Sequence, residues 1–333
     1  MLLFPKIGSR GFMLLFSVFL MSIAGDFFIP QDLLDEYGFS TITYGYARKH
    51  HVYLANRHHM VRVDFDGNLK AEFSARGAGP EELVSGGPLF TFGDKVWCHD
   101  IMGRRLVVFD DDLNLLYARK FPKQSQSAAH AVAPGATHIF AVDYPSIGAL
   151  GKPLRVAAYN PETLALERSF TVDGWQAAHD KAGFFRIDQL QENSFALYET
   201  IQNEEYYRVF LWNADTGGVR SIQHLTPSRA TAKTSKMGAF GLLFEGATAI
   251  KGVVRGSSED WVYLNTRGSE SRKKSTRDVE RFHIHRFNTA TGKAKQARIE
   301  PFYMVQSPGI TQGVMLHDPE KGLTIQLLAT TRD

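Results

Sequence analysis

Cysteine is almost missing from this chain: Cys98 stands alone, so no intramolecular disulfide can form and stability has to come from packing. Catalytic signatures are missing as well. There is no Gly-x-Ser-x-Gly elbow, no phosphate-binding Gly-x-x-x-x-Gly-Lys loop, and neither a His-x-Glu nor a helical His-x-x-x-His spacing. An excess of one charge is also absent: 38 Lys and Arg face 35 Asp and Glu, and setting aside Lys6 and Arg10 leaves 36 against 35. A near-neutral chain gives no global signal for a nucleic-acid or membrane partner. With 44% hydrophobic and 22% charged residues the composition is that of an ordinary folded protein.

The N-terminus has its own pattern. Lys6 and Arg10 precede an apolar stretch, Gly11 to Gly25, with no acid before Asp26, and small Ser22 and Ala24 stand where a signal peptidase reads. This predicts a signal peptide over residues 1–24 and one domain over 25–333, exported to the periplasm or the extracellular space. The apolar run is short of the about 20 residues that span a bilayer comfortably, so no stable span is expected after cleavage. An uncleaved signal anchor that tethers the chain to the membrane is the alternative.

What the chain does contain is a recurring two-strand unit. Val52-Tyr53-Leu54 is followed by Val61 to Phe65 and the turn Asp66-Gly67-Asn68, and Val96-Trp97-Cys98 is followed by Leu106 to Phe109 and Asp110 to Asn114. The spacings Tyr53 to Phe65 and Trp97 to Phe109 are both 12, and looser copies end at Tyr159, Trp212 and Phe287. A strand-built repeat of this length points to an all-β fold, a β-propeller. Six blades account for the chain best, with seven or five as alternatives. The last stretch, Gly309 to Ala329, holds only two good strands, so the sixth blade is expected to borrow from Asp26 to Phe39, a strand exchange that closes the ring. Cys98 follows Trp97 on a predicted inner strand and reads as a core thiol.

One copy of the repeat carries more detail. Arg76-Gly77-Ala78-Gly79-Pro80-Glu81-Glu82-Leu83 leads to a strand, then to Trp97-Cys98-His99-Asp100 and Arg105 to Asp110. This resembles the NHL-type repeat of six-bladed propellers, with Gly77, Gly79, Pro80, Glu82, Asp100, Arg105, Phe109 and Asp110 at matching positions. Glu81 and Leu83 depart from the pattern, as do Asn56 and Val61 in the first blade. The resemblance implies a six-bladed propeller from a superfamily that ranges from protein and RNA scaffolds to metal-dependent lyases and lactone hydrolases. It does not choose among them. Locally, Asp100 and Arg105 are placed to bridge the turn between two strands.

Length variation supplies a direction. If the strands of a blade are named a to d outward from the axis, the b–c turns and the d–a links leave on one face, and the a–b and c–d turns on the other. All the long additions, Tyr144 to Pro153, Glu199 to Tyr206, Asn265 to Arg281 and the link Thr226 to Gly246, fall on the first face. Insertions gathered on one face of a repeat fold mark its binding surface. The candidate partner-binding residues there are Arg76, Tyr144, Glu204, Lys236, Arg267, Lys273, Lys274 and Arg277. Two of these segments are basic, so the expected partner is a protein, peptide or carbohydrate of acidic character, bound by a monomer; nucleic acid is not favoured. No cofactor is expected. The alternative is a metal-assisted lyase or a lactone or ester hydrolase at the channel mouth, with a divalent metal held by His58, His99, His130 and His179.

Overall fold

The computed structural model describes residues 27–39, 42, 44–48, 50–122, 131–143, 151–176, 185–199 and 206–227, then the segments 233–234, 244–245, 249–255, 261–268, 281–288, 294–298, 303–304, 313–318 and 321–327. Among the described residues, strand β1 (Phe27–Pro30) and a short helix α1 (Gln31–Glu36) come first. The first complete sheet is β2 (Tyr44–Ala47), β3 (His51–Asn56), β4 (His59–Asp64) and β5 (Leu69–Ser74). Next come β6 (Gly86–Phe92), β7 (Lys95–Asp100), β8 (Arg105–Phe109) and β9 (Leu115–Lys120), then β10 (Val132–Pro134), β11 (Ile139–Asp143), β12 (Pro153–Tyr159) and β13 (Leu166–Gln176). The fourth sheet is β14 (Phe185–Gln191), β15 (Ser194–Glu199), β16 (Tyr206–Asn213) and β17 (Val219–Pro227).

A two-stranded pair, β18 (Lys233–Thr234) and β19 (Phe244–Glu245), lies in the long link that follows. Beyond it are β20 (Ala249–Arg255), β21 (Trp261–Gly268), β22 (Arg281–Asn288) and β23 (Ala294–Arg298). The remaining strands are β24 (Tyr303–Met304), β25 (Gly313–Asp318) and β26 (Gly322–Leu327). They form a sheet with β1, which pairs antiparallel with β26 through Phe27 to Ile325 and Pro30 to Gly322. The architecture is an all-β propeller in which the sheets β2–β5, β6–β9, β10–β13, β14–β17 and β20–β23 are antiparallel meanders and their a strands β2, β6, β10, β14 and β20 are successive neighbours.

Burial explains which sequence runs became which strand. In the first four sheets the b and c strands are covered on both faces by adjoining sheets, so they read as near-continuous apolar runs; β8 is buried at every position and β7 at all but Lys95. The outermost strands are mostly exposed instead, as in β5, where only Ala71 and Phe73 turn partly inward. Apolar clusters fill the gaps between sheets. One joins the first three sheets around Tyr53, Trp97, Phe109 and Tyr159, and another joins the third and fourth around Phe140, Phe195 and Trp212. A third sets Ile29, Leu323 and Ile325 of the last sheet against Val52, Leu54 and Val61 of the first, with Leu34 of α1 and Phe39 beneath them.

The Asp- and Asn-rich motif noted in the sequence closes the outer hairpin of the first four sheets. Asp64 accepts the N–H groups of Asp66 and Asn68 at 3.0 and 2.7 Å, and Asp110 accepts those of Asp112 and Asn114, both at 2.9 Å. Asn160 and Asn213 do the same for residues two and three ahead of them. An Asx side chain that takes up its own turn's donors makes a short loop self-sufficient. In two of these turns the chain passes through a left-handed residue, Leu113 at φ 59° and Leu164 at φ 54°, and both side chains are buried in the core. Packing offsets the backbone cost there.

Two features were not foreseen from sequence. The a strand of the third sheet, β10, is only three residues long and includes Pro134, and α1 occupies part of the stretch expected to lend a strand.

Candidate functional site

The b–c turns and the d–a links emerge on one face, and the described part of that face is built around residues 75–85. Arg105 is the organising group. Its guanidinium donates to Asp100 Oδ2 at 2.9 Å and to the carbonyls of Gly79 and Glu82 at 2.8 and 2.6 Å. Asp100 also accepts the N–H groups of Val84, Ser85 and Gly103, and the Glu82 carboxylate accepts that of Gly79 at 2.7 Å. Asp100 and Arg105 are 0% and 4% exposed, so their hydrogen-bonding capacity is spent on holding the loop. Gly77 has φ 157°, and a Cβ there would run into the Glu82 carboxylate. Glycine is required by that close approach.

The bracing turns other side chains outward. Arg76, Val84, Met102 and Arg104 are exposed on this loop and the next b–c turn, and Arg57 is exposed on the b–c turn of the first sheet. A second polar group lies nearer the axis. Arg186, Asp188 and Tyr198 share the side of the fourth sheet that faces the fifth, because Arg186 pairs with Tyr198 and Asp188 follows at the next same-side position. Tyr198 donates to Asp188 Oδ2 at 2.6 Å and Val253 N–H donates to the same oxygen at 2.8 Å. Burial lifts the Asp188 carboxyl to about 6, against the opposing pull of Tyr198, Val253 and Arg186. Burial also pushes Tyr198 up, helped by the neighbouring Asp188. Tyr44 of β2 is raised by burial too, and the Arg186 charge opposes it, so Arg186 acts electrostatically on the first sheet as well as its own.

On the opposite face a cluster bridges the first two sheets. The Asp111 carboxylate accepts from Arg48 at 2.7 Å, Tyr53 at 2.7 Å and Arg62 at 2.6 Å, while Arg62 also reaches Asp112 at 2.6 Å. Sequence reasoning missed it because its members lie 49 to 63 residues apart and only the fold brings them together.

Of the residues named from sequence, Arg76 is exposed at the start of the braced loop and Arg267 lies in β21. Tyr144, Glu204, Lys236, Lys273, Lys274 and Arg277 lie outside the described residues, as do His130 and His179. The two remaining histidines are not alike. His58 is half-buried in the b–c turn of the first sheet, whereas His99, next to Asp100 at the end of β7, is fully buried and sits edge-on to Phe121 with ring centroids 6.0 Å apart. Among the described residues no three His, Cys, Asp or Glu side chains are gathered in metal-binding geometry. Cys98 is buried and its thiol is pushed up to about 12, first by desolvation, which makes it a core group. Among the described residues no helix is long and apolar enough to cross a membrane.

No known protein family matches this sequence, and no curated protein matches it. Solved structures do. A member of the DUF4221 family from Bacteroides vulgatus is 9% identical, covers 90% of this chain and 95% of its own, and superposes with a TM-score of 0.55. The "Putative exported protein" of Bacteroides fragilis is 9% identical, with 88% and 91% covered and a TM-score of 0.55. At that identity the likeness concerns the fold, and the fold is what this chain shares with them.

Proposed function

We propose that this chain is an exported six-bladed propeller, related in repeat pattern to the NHL type, with its ring closed by β1, and that it binds a protein, peptide or carbohydrate ligand through the face of its b–c turns and d–a links. The observation that carries this reading is the asymmetry between the two faces. The c–d turns of the first four sheets are short and satisfy their own donors through Asp64, Asp110, Asn160 and Asn213. The other face carries the b–c links 144–152, 200–205 and 269–280, the d–a link after β17 and the braced, outward-facing 75–85 loop, whereas the face of the c–d turns has one long connection, the a–b link 305–312 of the last sheet. Export is supported by the pattern of residues 1–24 and is in keeping with the name of the Bacteroides fragilis neighbour. Binding needs no cofactor.

Two measurements test it. Fractionation with N-terminal sequencing should find a chain that begins at Gly25 outside the cytosol; a cytosolic chain that retains residues 1–24 overturns export. Photocrosslinking residues placed at 102 and 273 should give adducts in the native compartment, and the same residues placed at 66 and 112 should not. Adducts from the second pair alone would reverse the choice of face.

The buried Asp188 beside Tyr198 and Arg186 favours a second reading, a metal-assisted lyase or a lactone or ester hydrolase with its site near the axis. Stoichiometric metal in purified protein, with turnover lost in Asp188→Asn, would select it over the binding module.

A further inference from the structure

Among the described residues six large apolar side chains are exposed. Phe28, Leu69, Leu116 and Leu166 sit on the outermost strands, where a rim residue is commonplace. The other two, Val84 at 39% and Met102 at 69% exposure, lie together on the b–c face. Their proximity is fixed by the backbone: Val84 and Ser85 N–H both donate to Asp100, and Ile101 N–H donates to Ser85 O at 3.2 Å.

Exposed arginines surround this pair. Arg76 begins the loop, Arg104 ends the turn that holds Met102, and Arg57 stands on the adjoining b–c turn, where Ala75 N–H donates to His58 O and a Cβ on Gly86 would run into the Arg57 carbonyl. Arg57 and Arg104 are left-handed, at φ 53° and 50°. Glycine or asparagine suits such a position best. Leu113 and Leu164 are also left-handed, but burial rewards them; nothing in the core rewards two exposed arginines. Conformationally disfavoured residues held at a surface point to a function served by their side chains.

We infer that this patch is the docking site for an acidic peptide segment with an aliphatic anchor, its carboxylates held by Arg57, Arg76 and Arg104 and its anchor resting on Val84 and Met102. The inference rests on the proposed binding face and names the partner for its described part. Guanidinium groups form paired hydrogen bonds with carboxylates, and a flexible thioether beside a branched aliphatic accepts an apolar side chain. A nucleic acid fits less well, because among the described residues the patch offers no exposed aromatic ring for base stacking.

The test uses the chain without its leader and a fluorescein-labelled peptide in which glutamate pairs flank one central leucine. Anisotropy should report a Kd in the micromolar range that weakens as salt is raised. Replacing the glutamates with lysines should abolish binding, and replacing the leucine with serine should weaken it about tenfold. Arg57→Gly with Arg104→Gly should also weaken it about tenfold or more while the urea midpoint stays equal to wild type or rises, because glycine relieves both turns. A polyuridylate probe that binds more tightly than the peptide overturns the peptide reading in favour of nucleic acid. Failure of the wild-type chain to bind the peptide overturns the proposal. So does peptide binding that survives the arginine variants; if it is then lost on deletion of residues 269–276, the face is retained and only this patch is rejected.

Discussion

The Asp188 carboxylate on β14 accepts the main-chain N–H of Val253 on β20 at 2.8 Å, so a single side chain ties the innermost strands of two neighbouring sheets. Because burial lifts this carboxyl to about 6, the native state binds more protons than the unfolded chain between about pH 4 and about pH 6. Its contribution to stability therefore falls as pH rises through that window and is level above it. Asn in its place keeps an acceptor for Val253 and Tyr198 and removes the charge. Asp188→Asn should gain on wild type as pH rises from about 4 to about 7, read as the difference in urea midpoints at each pH. A difference that does not vary with pH would show that Asp188 does not titrate in that range.

Arg105 makes a different kind of tie. Its three donor contacts, to Asp100, Gly79 and Glu82, need the planar guanidinium fork. Arg105→Ala strands the buried Asp100 carboxylate and should cost about 3–5 kcal/mol. Arg105→Lys keeps the charge without the fork and should recover only part of that. Urea unfolding gives the magnitude, and amide exchange at Gly79 and Leu83 locates it; unaltered exchange in both variants would remove the bracing role.

The Asp111 cluster lies half in solvent, with the carboxylate 46% exposed, so its bonds are discounted for screening. Burial pushes this carboxyl up, but the Tyr53 hydroxyl and the charges of His51, Arg62 and Arg48 outweigh it and hold the group below its usual range. A depressed pKa gives stability that is present above the unfolded value and is lost as pH falls through the folded one. Asp111→Ala should cost about 1 kcal/mol at neutral pH, less in high salt. A double-mutant cycle with Arg62→Ala measures the coupling, and a value near zero would mean that the two sheets are held by packing alone.

Ile29 is 1% exposed and packs with Leu323 and Ile325 at the junction of the last sheet with the first. Ile29→Ala should lower stability by about 2–4 kcal/mol, as for a core residue, although it lies close to one end of the described chain. Thermal melts decide it. A change within about 0.5 kcal/mol, the level of an ordinary surface substitution, would mean that β1 is dispensable.

The sequence made the propeller legible because its inner strands are covered on both sides. Val96 to Cys98 and Leu106 to Phe109 had to be continuous apolar runs, and Asp64 and Asp110 had to recur where two strands turn tightly. The strand β10 escaped notice because three small residues, Val132 to Pro134, carry no periodicity. Arg48, Arg62 and Asp111 were unreadable for another reason: each looks like a solvated surface charge until sheet packing juxtaposes them. Strand parity set His99 near the face of the b–c turns but could not say which way its ring is turned; packing buries it against Phe121.

The pairing of Phe27–Pro30 with β26 joins residues almost a whole chain apart. Local hairpins form early and long-range pairings late, so this sheet is the last whose strands are all available. Until Gly322 to Ile325 exist, Ile29 has no strand to lie against, and a chain cut short anywhere before Gly322 leaves an apolar N-terminal segment without its partner. Without that partner the Ile29 side chain, 1% exposed here, faces water.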